Sequence, residues 1–207
     1  MVLAAGHGRR LGLGPKALIR VGTSTLAGRA VGAVRTAGGL PVLVVGPAAA
    51  DVVNAVGRES PGELCVVSVG ETADAMSRSW RAGVERALLV SPGLPVAVML
   101  VDQPGVGPAV LSRVLRAHRP GRVTRAAYHG RAGHPVVFDP GHARAAADRV
   151  HGDAGARAYL HEHRADIDVV ECADVGSDDD LDTEADLESW RLSLRPPDRS
   201  SDRPGGG

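Results

Sequence analysis

Aromatic side chains are nearly missing from this chain: Phe, Trp and Tyr together make up 2% of its 207 residues. Single-stranded nucleic acid is held by stacking its bases on such rings, so that role is not expected. Net charge is missing too, with 24 basic residues set against 24 acidic ones. Nucleic-acid binding in general draws on a basic excess, and no nucleic-acid partner is expected. Cysteine is scarce. Cys65 and Cys172 lie far apart in no CxxC spacing, which reads as buried thiols in a reducing compartment. No apolar run reaches the roughly eighteen residues of a membrane span, and no signal peptide is recognisable. The expectation is a cytoplasmic protein with no membrane partner.

Glycine, by contrast, is abundant, at 27 residues. A short apolar run, Val2 to Ala5, reads as a strand and breaks into a loop with Gly6, Gly8, Gly12 and Gly14, closed by Pro15-Lys16. Glycine has no Cβ, so successive backbone N–H groups can turn toward one anion. Arg9, Arg10 and Lys16 add positive charge at the same place. A backbone cradle with cationic side chains suits a polyphosphate. The plain alternative is a flexible glycine loop, but the conjunction of strand, glycines and cations favours binding.

Two commoner phosphate loops do not fit. The dinucleotide fingerprint needs glycines at relative positions one, three and six, and an acidic residue about twenty positions on. Gly6 and Gly8 comply, but Leu11 holds the sixth position, and the stretch from Val21 to Gly39 has no Asp or Glu. A nicotinamide-dependent oxidoreductase is disfavoured on both counts. The Walker A loop needs Gly-Lys followed by Ser or Thr. Here Pro15 separates Gly14 from Lys16, and Ala17 follows.

The rest of the chain alternates. Apolar, β-branched runs occur at Val2–Ala5, Pro41–Val45, Leu64–Ser68, Val96–Val101, Arg122–Ala126, Pro135–Phe138 and Ile167–Val170. Helical spacing is clear in Thr25 to Ala37, Ala75 to Leu89 and Pro108 to His118, the last opening with a proline suited to a first helical position. Strands alternating with helices predict a mostly parallel sheet covered on both faces, an α/β fold. A chain of this length is expected to form one domain, residues 1–194. From Arg195 onward Pro, Arg, Asp, Ser and Gly dominate, and residues 195–207 read as a disordered tail.

Polyphosphates usually arrive with Mg²⁺, so carboxylates are expected at strand ends. The apolar strand Val96–Val101 ends abruptly in Asp102-Gln103-Pro104. Ligands of such sheets sit at the carboxyl ends of the strands, which would set Asp102 across from the glycine loop. A turn aspartate or a helix cap is the plain alternative. Asp180-Leu181-Asp182-Thr183 precedes a final helix, where Asp182 or Thr183 could instead be its cap. Asp178 and Asp179 read as a solvated acidic loop. His134 falls at a loop-to-strand transition. His161-Glu162-His163 alternate along a helix, so the two rings do not share a face, and they read as solvated. Ser77 and Ser79 are accounted for nearly as well by capping and surface polarity as by ligand contact.

The loop Leu3 to Lys16, the stretch Val101-Asp102-Gln103-Pro104-Gly105-Val106, the segment Gly133 to Phe138 and the stretch Asp180 to Leu187 occur in this order. Together they resemble the molybdenum cofactor cytidylyltransferases, over roughly residues 1 to 190. The glycine loop alone is shared with many nucleotidyltransferases. Gly133-His134-Pro135 and Gly152 to Arg157 are closer to the molybdenum branch. The resemblance implies a Rossmann-like three-layer α/β/α nucleotidyltransferase fold with a mostly parallel mixed sheet. It implies transfer of a nucleoside monophosphate from a triphosphate to a phosphate monoester, with release of pyrophosphate. Gly6, Gly8, Arg10, Gly12 and Lys16 would hold the triphosphate. Leu3, Ala4, Ala5, Gly6 and Ser77 would meet base and ribose. Asp102 and Asp182, with Asp180, would bind Mg²⁺. His134 and Arg157 would meet the acceptor, a molybdopterin-type phosphate. Members with Leu-Ala-Ala-Gly favour CTP, as Leu3-Ala4-Ala5-Gly6 would here, and a molybdoenzyme would receive the product.

Two features depart from that pattern: the first strand starts unusually close to Met1, and Ala185 replaces a usual proline. Other acceptors, GTP in place of CTP, or a non-catalytic nucleotide-binding cofactor chaperone stay open as alternatives.

Overall fold

The computed structural model describes residues 1–6, 14–70, 75–152 and 155–193. In chain order the described elements are β1 (Val2–Ala4), β2 (Arg20–Val21), β3 (Ser24–Thr25), α1 (Leu26–Thr36), β4 (Val42–Val45), α2 (Ala49–Glu59), β5 (Cys65–Ser68) and α3 (Ala75–Val90). There follow β6 (Val96–Leu100), α4 (Pro108–Ala117), β7 (Val123–Tyr128), β8 (Arg131–Phe138), α5 (Pro140–Arg149), α6 (Arg157–Glu162), β9 (Ile167–Glu171) and α7 (Glu184–Ser193). Seven strands form one sheet in the order β5-β4-β1-β6-β8-β7-β9, while β2 and β3 make a separate hairpin. Strands β5, β4, β1 and β6 run parallel, β8 is antiparallel to β6 and β7, and β9 is parallel to β7. The expected mixed, mostly parallel α/β sheet is what the chain forms.

The apolar runs are continuous because both faces of the sheet are covered. Val2 and Ala4 of β1 join Leu43 and Val45 of β4 in one core, with Val31 and Val34 of α1 and Val110 and Val114 of α4. Leu3, Val42 and Val44 point the other way, toward Trp80 and Val84 of α3 and Ala143 and Ala147 of α5. This strand periodicity of two divides one run of residues between two cores. The helices start where local chemistry starts them. Thr25 caps α1 by accepting from the Gly28 N–H at 3.0 Å, and Pro108 and Pro140 open α4 and α5.

Two helices and one hairpin differ from the sequence reading. Helices α2 and α5 were not expected. Among the residues α5 buries are Ala143, Ala146 and Ala147, whose methyl groups give little contrast against a polar face. Strand β8 begins at Arg131 rather than Pro135, because it pairs with β7 across a tight turn. His129 and Gly130 both adopt positive φ, 52° and 76°, the backbone twist that a two-residue hairpin requires.

Connectivity leads from β1 to β4 and β5 on one side and to β6 on the other. The carboxyl ends of β1 and β6 therefore flank a topological switch point, where such sheets open a crevice. A later segment, between β9 and α7, crosses back over this crevice. Its Leu181 N–H donates to the Asp102 carbonyl at 2.9 Å, and the Leu181 side chain is buried.

The crossing is backbone against backbone. A Cβ on Gly176 would stand 2.5 Å from the Gly105 carbonyl oxygen and 2.5 Å from a Val110 methyl. Gly176→Ala is expected to cost about 1–3 kcal/mol, because neither backbone can withdraw. At Gly57, an exposed position of α2, a Cβ meets nothing within 4 Å, so Gly57→Ala is expected to gain about 0.5–1 kcal/mol from helix propensity. Chemical denaturation of the two variants should give opposite signs; a neutral Gly176→Ala would show that the crossing is loose.

Candidate active site

Lys16 reaches the crevice because its neighbours are pinned. Pro15 fixes the backbone before it, a single 3-10 turn runs over Lys16–Leu18, and Ala17 is fully buried. The Lys16 Nζ donates to Asp102 Oδ2 at 2.7 Å and to Asp182 Oδ1 at 2.5 Å. Burial by itself would lower the pKa of this ammonium, but the hydrogen bonds and charges of both carboxylates outweigh it and raise the value above that of an ordinary lysine. Side-chain exposure rises from 13% at Lys16 to 23% at Asp102 and 43% at Asp182, so the cluster opens to solvent past Asp182.

Asp180 stands close by. Its Oδ1 accepts from Gln103 Nε2 at 2.9 Å, and the same amide reaches the Asp178 carbonyl at 3.2 Å. Asp180 keeps an exposed edge, yet its pKa is raised. Burial of the carboxyl comes first among the causes, the Gln103 hydrogen bond opposes it, and the charges of Asp102 and Asp182 add to it. Three carboxylates thus face one ammonium, an excess of two negative charges among the described residues. Among those residues no three His, Cys, Asp or Glu side chains close around a single point; the point shared by Asp102 and Asp182 is taken by Lys16.

Of the two acidic residues before Asp180, Asp179 is exposed as expected and Asp178 corrects the expectation. Asp178 is not a solvated loop residue. It lies over Gly133, where a Cβ would collide with its carboxylate, and its Oδ1 is 3.7 Å from Arg131. Chain crossing, invisible in local sequence, presses it there.

Beside the carboxylates a cleft of about 210 Å³ opens between β8, α3 and α6. Leu3, His134 and Arg157 line it, as do Met76, Trp80 and Arg125, which sequence reasoning missed. His134 lies inside β8 rather than at its start, because the hairpin lengthens the strand. The His134 pKa is lowered to about 4, by burial first and then by the Arg125 charge, with the Asp102 charge opposing. Arg157 opens α6 and is exposed. The Arg125 guanidinium has its pKa lowered by burial first and then by the charge of Arg157, with Asp178 opposing.

Other expected site residues fall as follows. Ala4 is buried in β1, Ala5 follows it half-buried, and Gly6 is exposed. Arg10, Gly8 and Gly12 lie outside the described residues, as does the expected tail from Arg195. Ser77 and Ser79 are not surface residues: each is 3% exposed, and the Ser77 N–H donates to the Gly152 carbonyl at 3.2 Å. Ser77 is therefore in the first turn of α3 but is not among the residues lining the cleft. His163 is not solvated either. It stacks on the buried ring of Tyr159 with centroids 4.0 Å apart, while His161 is exposed.

Known proteins resemble this chain in sequence and in fold. Residues 1–167 match the family model described as MobA-like NTP transferase domain. A relative from Paenarthrobacter nicotinovorans, named nicotine blue oxidoreductase, is 37% identical over 195 residues, 88% of this chain and 91% of that protein. The crystal structure of Rv0371c from Mycobacterium tuberculosis H37Rv is 30% identical, with a TM-score of 0.77 and coverage of 92% of this chain and 95% of that one. A crystal structure of Rv0371C in complex with manganese is 29% identical, with a TM-score of 0.73 and coverage of 93% and 97%.

The His134 environment sets a pH dependence. The folded value of about 4 lies below the ordinary 6.5. Its contribution to stability is therefore complete above pH 6.5 and falls as pH drops through about 4, because the unfolded chain binds the proton first. NMR titration of the imidazole should give a midpoint near 4; one near 6.5 would mean that the ring is solvated.

Proposed function

The chain belongs to the MobA-like NTP transferase domain family, and we propose that it transfers CMP from CTP to a phosphate monoester of molybdopterin type. The observation that carries this reading is Lys16 held between Asp102 and Asp182 at the sheet's switch point. In the reaction an acceptor phosphate oxygen bonds to the α-phosphorus, the bond from that phosphorus to the β-bridging oxygen breaks, and pyrophosphate leaves with the electron pair. The acceptor phosphate is already anionic at neutral pH, so no general base is needed. The barrier is the approach of two anions, and positioning with charge neutralisation lowers it.

Lys16 supplies fixed positive charge where charge builds on the α- and β-oxygens, and Arg10 would steady the leaving pyrophosphate. Gly6, Gly8 and Gly12 would cradle the triphosphate, and the backbone of Leu3, Ala4 and Ala5 would meet the base. Ser77 is assigned to the ribose side. The residues present fit a divalent cation, Mg²⁺ by preference: the donors are all oxygens, two of them touch one nitrogen, and the cluster carries two uncompensated negative charges. Asp102 and Asp182, with Asp180, would hold it. When bound, such a cation offsets the negative charge of the phosphates. His134 and Arg157 take the acceptor, and a molybdoenzyme is the proposed recipient of the product.

A second reading has one observation on its side, the 37% identical relative named as an oxidoreductase. It is weighed against the glycine spacing, which lacks the dinucleotide pattern. Two assays on one preparation separate the readings: pyrophosphate release from each triphosphate with Mg²⁺ and molybdopterin, and NADH or NADPH oxidation with a quinonoid dye. Dye reduction without pyrophosphate release would replace the transferase reading.

Asp102→Asn keeps shape and removes charge. It is expected to lower pyrophosphate release by about 10²-fold or more with the fold intact, and chelation should abolish release in the parent. Lys16→Ala should reduce the single-turnover rate far more than CTP binding, because its charge acts as the transition state develops. Equal losses would make Lys16 a binding residue only.

CTP is expected to be preferred over GTP by specificity constant. The Ala5 methyl narrows the space beside the base and penalises a purine more than a pyrimidine. Ala5→Gly should relax the ratio; an unchanged ratio would place nucleotide choice elsewhere.

A further inference from the structure

The cleft beside the carboxylates combines two features that the transfer chemistry alone does not require. One is an apolar wall. Trp80 packs edge-on against Phe138 with centroids 5.5 Å apart, and Leu3, Met76 and Leu160 extend that surface. The other is a pair of guanidiniums, those of Arg125 and Arg157, at the same cleft. Among the described residues neither makes an ion pair. Asp178 is within electrostatic reach of Arg125, but its carboxylate faces Arg131 and lies over Gly133.

Arg125 is aimed by the backbone. Its Nε donates to the Gly133 carbonyl at 3.0 Å and its Nη2 to the Ala132 carbonyl at 3.2 Å. Both acceptors lie on β8, so the planar group is held still while its remaining N–H bonds stay available. A guanidinium half-buried beside a like charge is costly unless an anion joins them. Its fork suits the paired oxygens of a carboxylate or phosphate. The volume, about 210 Å³, is below the usual 300–1,000 Å³ of a whole-ligand pocket. The cleft therefore suits part of a ligand rather than a complete nucleoside triphosphate.

We propose that this cleft selects the acceptor, taking a flat apolar body against Trp80 and Leu160 and an oxyanion on that body between Arg125 and Arg157. Arg125 is thereby a specificity-determining binding residue. The assignment to the acceptor rests on the transferase reading; the binding chemistry does not. The class named is an aromatic or heteroaromatic acid, its acidic group a phosphate or a carboxylate.

Calorimetry on the full chain tests it with phenyl phosphate, benzoate, inorganic phosphate and benzyl alcohol as probes. Phenyl phosphate or benzoate should bind at least tenfold more tightly than inorganic phosphate, and benzyl alcohol should not bind measurably. The tighter of the two aromatic acids identifies the group. Arg125→Gln should weaken that probe at least tenfold while CTP affinity is kept. Arg157→Gln, at an exposed helix start, should weaken it severalfold and guards against misfolding of the first variant. Equal affinity of the aromatic acids and inorganic phosphate, or binding indifferent to both substitutions, would overturn the proposal. Because binding is read without turnover, a chain that released no pyrophosphate yet bound the probes through Arg125 would lose the transferase reading and keep this site.

Discussion

Everything at the crevice depends on one ammonium meeting two carboxylates from distant parts of the chain. Lys16 touches Asp102, 86 residues on, and Asp182, 166 residues on. Such a contact forms only after β1 and β6 have paired and the segment before α7 has crossed them. It is partly buried, and its geometry is short. A buried charge left without its partner is strongly destabilising, so each member of the cluster constrains where the other two stand. The site is in this sense a product of the finished topology, not of any local motif.

The crossing segment is held by means that are mostly backbone. Leu181 anchors it through both its N–H and its side chain, and Gly105 and Gly176 let two main chains touch. Gln103 then ties Asp180 and the Asp178 carbonyl to the end of β6. Its Oε1 is buried and without a partner among the described residues. An amide spent on orienting a carboxylate in this way adds order to the acidic cluster at some cost in satisfied polar groups.

Much of the architecture was legible in the residues. Continuous apolar runs announced strands covered on both faces, and Thr25, Pro108 and the runs after them announced α1 and α4. Asp102 stood out as an abrupt carboxylate after an apolar strand, a place that a turn or a cap would also explain, and the fold brings it to Lys16. What stayed hidden has physical causes. Helix α5 buries alanines, which carry no periodic contrast. The β7–β8 hairpin turns on His129-Gly130, which lacks the Asn-Gly or Asp-Gly pair that marks such turns most strongly. Trp80 and Asp178 acquire their surroundings from chain segments far away in sequence, and no spacing rule reports that; Arg125 is held across the hairpin by Ala132 and Gly133, and that hairpin was itself hidden. Ser77 and His163 looked exposed because they are polar; helix packing buried the one and a neighbouring ring covered the other.

The antiparallel course of β8 has a consequence for how such a site can diversify. Val98 of β6 stands opposite Val136 of β8, so the hairpin that precedes β8 overhangs the ends of the parallel strands as a canopy. Arg125 and His134 lie on that one contiguous stretch, whereas Lys16, Asp102 and Asp182 are scattered along the chain. Recombination or loop exchange within a dozen residues could therefore recast the Arg125–His134 side of the cleft while the wall of Trp80 and Leu160 stays in place. The dispersed charge cluster would be inherited untouched, and one scaffold could serve a lineage of different recipients.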